Sequence, residues 1–142
     1  MQIDIVTDAD EELYKAFQRL VPQLTTNNPP PSLNYLADLV RDSASTLMVA
    51  RNESNKIIGA LTLTVYRVPT GVRSIIEDVI VDDSARGEGI GEALMKRAIE
   101  IAREKGAGNI SLTSNPMREA ANKLYLKLGF KKRETNAYQM KL

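Results

Sequence analysis

The sequence contains no cysteine, no histidine and no tryptophan. Without cysteine there is no disulfide, no thiolate nucleophile and no thiolate metal ligand. Without histidine there is no imidazole base, which removes a Ser-His-Asp triad and the commonest metal ligand together. A catalyst made from this chain works with carboxylates, Tyr, Lys, Ser/Thr or backbone amides, and no metal is expected. A dominant charge is missing as well: 19 Lys+Arg stand against 18 Asp+Glu, for a net charge of +1. Binding to nucleic acid through bulk phosphate neutralisation needs a basic excess, so nucleic acid is not an expected partner. No apolar run approaches the roughly 18 residues of a membrane span. The opening Met1-Gln-Ile-Asp-Ile-Val-Thr-Asp8 has neither the basic nor the apolar stretch of a signal peptide. No membrane partner and a cytoplasmic location are the expectations. What is present is ample apolar material: 43% of 142 residues is hydrophobic, enough for one cored domain over residues 1–142.

Periodicity orders that material. Residues 1–6 read as a short strand. Leu13, Phe17, Leu20 and Leu24 recur at helical spacing and predict a helix over residues 9–24. Pro29-Pro-Pro31 forbids regular structure, after which Ser32 caps a helix over residues 33–42. Three strands follow, over residues 45–51, 57–68 and 73–81, separated by turn-forming residues and suited to an antiparallel meander. Residues 88–105 form a helix on Ile90, Leu94, Ala98 and Ile101, closed by Gly106. A strand over 109–113 comes next, parallel to the third meander strand by the crossover rule. Asn115 with Pro116 opens a helix over 116–128, and Gly129 ends it. Short strands over 130–134 and 137–142 finish the chain. Met95 and Met117 read as core filler, and Lys131, Lys132 and Arg133 as charges protecting an edge strand.

The chemistry concentrates after residue 77, in Glu77-Asp-Val-Ile-Val-Asp-Asp-Ser-Ala-Arg-Gly-Glu-Gly-Ile-Gly91. A strand gives way to a glycine-rich turn that opens a helix. Free N–H groups and the positive end of the helix dipole attract an anion there, and a diphosphate is the natural guest. Gly87, Gly89 and Gly91 let a ligand reach the backbone, and Arg86 adds a positive charge. A dinucleotide fingerprint fails on spacing, because the sixth position from Gly87 is Glu92; a Walker loop fails on the same residue. Arg86-Gly-Glu-Gly-Ile-Gly91 instead resembles the [Arg/Gln]-x-x-Gly-x-[Gly/Ala] motif of the GNAT superfamily of acyl-CoA-dependent N-acyltransferases. Asn115-Pro-Met-Arg-Glu-Ala-Ala-Asn122-Lys-Leu-Tyr125-Leu-Lys-Leu-Gly129-Phe130 is similar to that family's second element, Asn-x-x-Ala-x-x-Leu-Tyr-x-x-x-Gly-Phe. The Ile76-Glu-Asp-Val79 run resembles the glucosamine-phosphate N-acetyltransferase branch, although the acceptor-binding regions do not match it.

The resemblance implies an α/β (α+β) GNAT fold: a mixed, mostly antiparallel central sheet with helices on both faces and a splayed pair of parallel strands. It implies acetyl-CoA as acyl donor. Val79, Ile80 and Val81 would pair with the pantetheine arm and the acetyl carbonyl. Arg86, Gly87, Glu88, Gly89, Ile90 and Gly91 would cradle the pyrophosphate, and Asn122 would bond the CoA arm. Tyr125, three residues further along the same helix face, matches the family's tyrosine and would protonate the departing thiolate. Glu77 is the candidate base; Asp78 and a route with no protein base remain open beside it. Strict alternation would put Glu77, Val79 and Val81 on one face of the strand and Asp78 and Ile80 on the other. With no cysteine to carry an acyl group, the expected reaction is direct attack by a small-molecule or peptide amine in a ternary complex. The rival is a non-catalytic acyl-CoA-binding or sensor domain on the same fold. Exposed terminal strands are compatible with a homodimer.

Overall fold

The computed structural model describes residues 1–142. Its elements run β1 (Gln2–Ile5), α1 (Glu11–Leu24), α2 (Leu33–Arg41), β2 (Ser45–Arg51), β3 (Ile57–Val68), β4 (Gly71–Val81), a 3-10 turn (Asp83–Ala85), α3 (Ile90–Glu104), β5 (Ile110–Ser111) and α4 (Glu119–Lys127). Local chemistry sets the boundaries. Asp10 and Ser32 cap α1 and α2, accepting from Leu13 N–H at 2.9 Å and Tyr35 N–H at 3.1 Å. Gly106, at φ 80°, closes α3 through paired bonds from its own N–H to Arg103 and from Ala107 to Ala102.

The chain divides into two compact units, Met1–Leu112 and Thr113–Leu142. In the first, the five strands lie in sequence order; every pairing is antiparallel except β4 with β5, which is parallel. Alternation along β2 sorts the core into two layers. Leu47 and Val49 join Ala60 and Ile80 beneath Leu13, Ala16, Phe17 and Leu20 of α1 and Leu36 of α2. The opposite face carries α3, whose Leu94, Met95 and Ala98 are fully buried. Gly59 lies there: a Cβ on it would meet the Ile80 carbonyl oxygen at 3.0 Å, Ile90 Cγ2 at 3.1 Å and Leu94 Cδ1 at 3.3 Å. The start of α3 therefore rests directly on the backbone of β3, which only glycine permits.

The second unit departs from expectation in three places. Asn115 does not cap a helix beginning at Pro116. Its side chain closes a turn by accepting from Met117 N–H at 2.9 Å, and α4 starts at Glu119. Met117, expected in the core, is 86% exposed on that turn, whereas Met95 is buried as expected. The two final strands do not form: residues 131–142 are exposed and without regular structure. A strand exists only through a ladder partner, and the alternation of Tyr138, Met140 and Leu142 supplies a pattern without one. Similarly β5 keeps two of its five expected residues, because only Ser74 and Ile75 of β4 pair with it.

Gly59→Ala is expected to lower unfolding free energy by about 1–3 kcal/mol, the usual cost of overpacking. Urea titration followed by circular dichroism measures it; an unchanged midpoint would mean that α3 shifts freely on the sheet.

Candidate active site

β4 stays on β3 to its end, with Gly59 opposite Val81. On its other side the ladder with β5 stops at Ile75. From Ile76 to Val81 that edge has no strand partner, although its N–H and C=O groups are obligatory hydrogen-bonding groups. The parallel pair with an open edge beyond it, which the family resemblance implies, is thus present.

A bulge interrupts β4 in the same stretch. Glu77 pairs with Thr62 and Ile80 with Ala60, so Asp78 and Val79 together face Leu61. Asp78 adopts φ 50°, the left-handed conformation that a bulge of this kind ordinarily gives to glycine. The extra residue reverses the alternation. Glu77 lies on the face of Ile80, toward α1, and not on the face of Val81, so the expected grouping of Glu77 with Val81 is corrected. Glu77 and Asp78 are both exposed, and neither carboxylate makes a hydrogen bond or an ion pair. Arg73, on the same strand, donates to Thr70 Oγ1 at 2.7 Å. Partial desolvation, with the neighbouring Asp78 carboxylate adding to it, raises the Glu77 carboxyl above its usual range.

Beyond Val81 the chain turns on Asp82. This residue is 5% exposed, and its carboxylate accepts from Ser84 N–H at 3.0 Å, Ser84 Oγ at 2.9 Å and Arg19 Nε at 3.1 Å. The Ser84 amide bond, ahead of the hydroxyl and guanidinium contacts, holds its pKa below the ordinary aspartate value against the opposing effect of burial. Sequence reading passed over Asp82; the Asp-x-Ser turn pattern was its only signal. Arg86 follows, exposed and 2.7 Å from Asp83. Gly87 and Gly89 take φ 82° and 79°, and an added Cβ at either would meet nothing within 4 Å. Conformation, not crowding, requires glycine there, and the space above the loop is open. Gly89 is the N-cap of α3 and offers no side-chain bond. The first amides of this 15-residue helix therefore lack the usual side-chain acceptor. Arg86, Gly87, Glu88 and Gly89 are exposed, Gly91 is half-buried, and the Ile90 side chain packs inward at 3% exposure, which leaves only its backbone for a ligand.

In the second unit, Tyr125 is the buried side chain of α4. Its ring meets Phe130 edge-on, with centroids 6.1 Å apart. The contact is built by the helix end. Gly129 N–H bonds the Leu126 carbonyl and Phe130 N–H the Tyr125 carbonyl, with Gly129 at φ 102°. The Gly-Phe pair thus folds back onto the tyrosine. Burial raises the Tyr125 phenol, with Arg118 opposing. Asn122, one turn earlier, donates its amide to the Asn115 carbonyl at 3.1 Å. Ser114 Oγ is buried without a hydrogen-bond partner, a feature with no signal in the sequence. No group of three or more Asp and Glu residues is arranged to hold a metal ion, and no helix is long and apolar enough to cross a membrane.

Comparison with known proteins gives a consistent set of relatives. The model of the acetyltransferase (GNAT) family matches residues 11–130. A glucosamine 6-phosphate N-acetyltransferase of Trypanosoma brucei brucei is 36% identical over 116 residues, which cover 77% of each protein. A solved Trypanosoma brucei acetyltransferase superposes with a TM-score of 0.79 at 31% identity, over 99% of this chain and 97% of that one. A Bacillus halodurans protein described as a transcriptional regulator superposes at 0.80 with 29% identity, over 99% of this chain and 100% of its own.

The lowered pKa of Asp82 has a definite sign for stability. Its bonds contribute fully above the ordinary aspartate pKa of about 3.9 and are lost as pH falls through the lower folded-state value. Asp82→Asn should therefore be less stable than wild type by about 1–3 kcal/mol at pH 7. The gap should close in acid; denaturant titrations at pH 7 and pH 3 test it, and an equal gap at both would contradict the assignment.

Proposed function

We propose, from the premise that this chain belongs to the GNAT acetyltransferase family, that it transfers the acetyl group of acetyl-CoA to a primary amine of a small molecule or peptide, by direct attack in a ternary complex. One observation carries the reading: the unpaired, bulged edge of β4 leads within a few residues to the uncapped start of α3. The first feature fits an arm bearing amides, which adds to a sheet as a strand would. The second fits a diphosphate. In this reading Val79, Ile80 and Val81 hold the arm through backbone groups. Gly87, Glu88, Gly89, Ile90 and Gly91 meet the diphosphate through backbone N–H groups, with Arg86 adding charge. Asn122 bonds the arm through its free amide oxygen.

The acyl donor brings a reactive thioester; the residues supply proton transfers. An alkylamine with a pKa near 10 is about one part in a thousand neutral at pH 7, a deficit of about 4 kcal/mol. Glu77 takes the proton from the amine at its carboxylate. Its raised pKa brings it nearer the working pH, which suits a base. The carboxylate pair of Glu77 and Asp78 also favours a cationic acceptor at this end of β4. Tyr125, kept protonated by burial, gives its phenolic proton to the leaving sulfur. The trypanosomal relative's name makes glucosamine 6-phosphate the first acceptor to try. The relative described as a transcriptional regulator favours the second reading, an acyl-CoA sensor without catalysis. Such a sensor has no need of both Glu77 and Tyr125.

Thiol release from acetyl-CoA, measured across an amine panel, separates the two. Tyr125→Phe should lower kcat by about a hundredfold with little change in the KM for acetyl-CoA. If CoA binds but no amine is acetylated, the sensor reading replaces the enzyme. A second outcome concerns pH: kcat/KM should fall as pH drops through the raised Glu77 pKa, and Glu77→Gln should remove that limb. A limb that survives the substitution assigns the base elsewhere.

A further inference from the structure

Asp82 is the one carboxylate among the buried residues, and no step of the proposed reaction uses it. It lies directly between the open edge of β4 and the loop that leads to α3. Its Oδ1 takes both Ser84 bonds and its Oδ2 takes Arg19 Nε, while its own N–H donates to the Ile58 carbonyl at 2.8 Å. Arg19 is a residue of α1, 63 positions away in sequence. Its second contact is a hydrogen bond to the Ile57 carbonyl, at the first residue of β3. One turn further along α1, Gln23 Oε1 accepts from Asp83 N–H at 2.8 Å, and its amide nitrogen reaches back to the Arg19 carbonyl at 3.3 Å. Two successive residues of the departing chain are therefore held by two side chains of one helix. An exposed ion pair would contribute little. A buried carboxylate is costly if its partner moves, so this contact fixes a direction and not merely a proximity.

We propose that Arg19, acting through Asp82 and Ser84 with Gln23 beside it, is a positioning residue for the diphosphate. α1 sets the angle at which the chain leaves β4, and so presents the amides of residues 86–91 and the start of α3 in their binding arrangement. The inference rests on reading those residues as the diphosphate cradle. Arg19 does not touch the ligand; it limits the conformations that the loop would otherwise lose on binding.

A pair of donors tests it: acetyl-CoA, and acetyl-pantetheine, which has the same thioester arm but no diphosphate. Calorimetry on the purified full chain should give wild type about tenfold or more preference for acetyl-CoA. Arg19→Gln should lose most of that preference by binding acetyl-CoA more weakly while holding acetyl-pantetheine within about twofold. Arg19→Lys should recover part of it, by restoring a cation near Asp82. Ser84→Ala removes a single hydroxyl from an exposed residue; it should shift the ratio in the same direction and keeps the test available should Arg19→Gln not fold. Equal weakening of both ligands, or an unchanged ratio in folded variants, overturns the positioning role. A wild type that does not prefer acetyl-CoA overturns the diphosphate cradle itself, and the positioning role with it.

Discussion

A backbone N–H or C=O in a half-buried strand must find a partner, and along one edge of β4 the protein does not provide one. The ladder with β5 ends after Ser74 and Ile75, while the ladder with β3 continues to Val81. The bulge at Asp78 and Val79 falls within the stretch thus left open. It costs a non-glycine residue at positive φ and a reversal of the strand's alternation, and such features persist only where the surrounding structure enforces them. Here the enforcement comes from both sides. Ile76 and Ile80, flanking the bulge, are each at most 4% exposed and anchor the strand to the core before and after it.

The electrostatics of the site are local, as a chain with a net charge of +1 requires. Positive potential comes from the uncapped end of α3 and from Arg86, whose charge is shared with Asp83 at 2.7 Å. Negative charge collects a few residues earlier, at Glu77 and Asp78. The same strand thus presents carboxylates near one end of its open edge and leads to a helix start at the other. A donor with a polyanionic tail and a reaction with a cationic amine would meet those two signs in the right order. The chain has no histidine, and the two residues proposed for proton transfer, Glu77 and Tyr125, are the acidic side chains whose pKa values lie above their ordinary range.

Much of this was legible in the residue pattern because it depends on period or on conformation. Leu13, Phe17 and Leu20 mark the buried side of α1, and Leu94 and Ala98 that of α3, through spacing alone. Gly87, Gly89, Gly106 and Gly129 mark positive φ. The meander is visible through its turns. The bulge was not legible: Asp78 takes a glycine's conformation without being glycine, so strict alternation assigned Glu77 to the wrong companion. Arg19 and Asp82 were passed over because a contact across 63 residues leaves no trace in spacing. Gly59 carries no sign in the sequence of the helix that rests on it. The final strands failed for the opposite reason. Tyr138, Met140 and Leu142 alternate correctly, but alternation expresses a preference for a pleated surface and cannot supply the neighbour that makes a strand.

The central claim is that one open strand edge and one helix start hold an acyl-CoA through backbone groups. Amide hydrogen exchange read by mass spectrometry, with and without saturating acetyl-CoA, measures those groups directly. The account predicts slowed exchange confined mainly to two segments, residues 76–82 and 86–93, with the outer strand β1 unchanged. Binding of acetyl-CoA that leaves both segments exchanging at their free rates would contradict it.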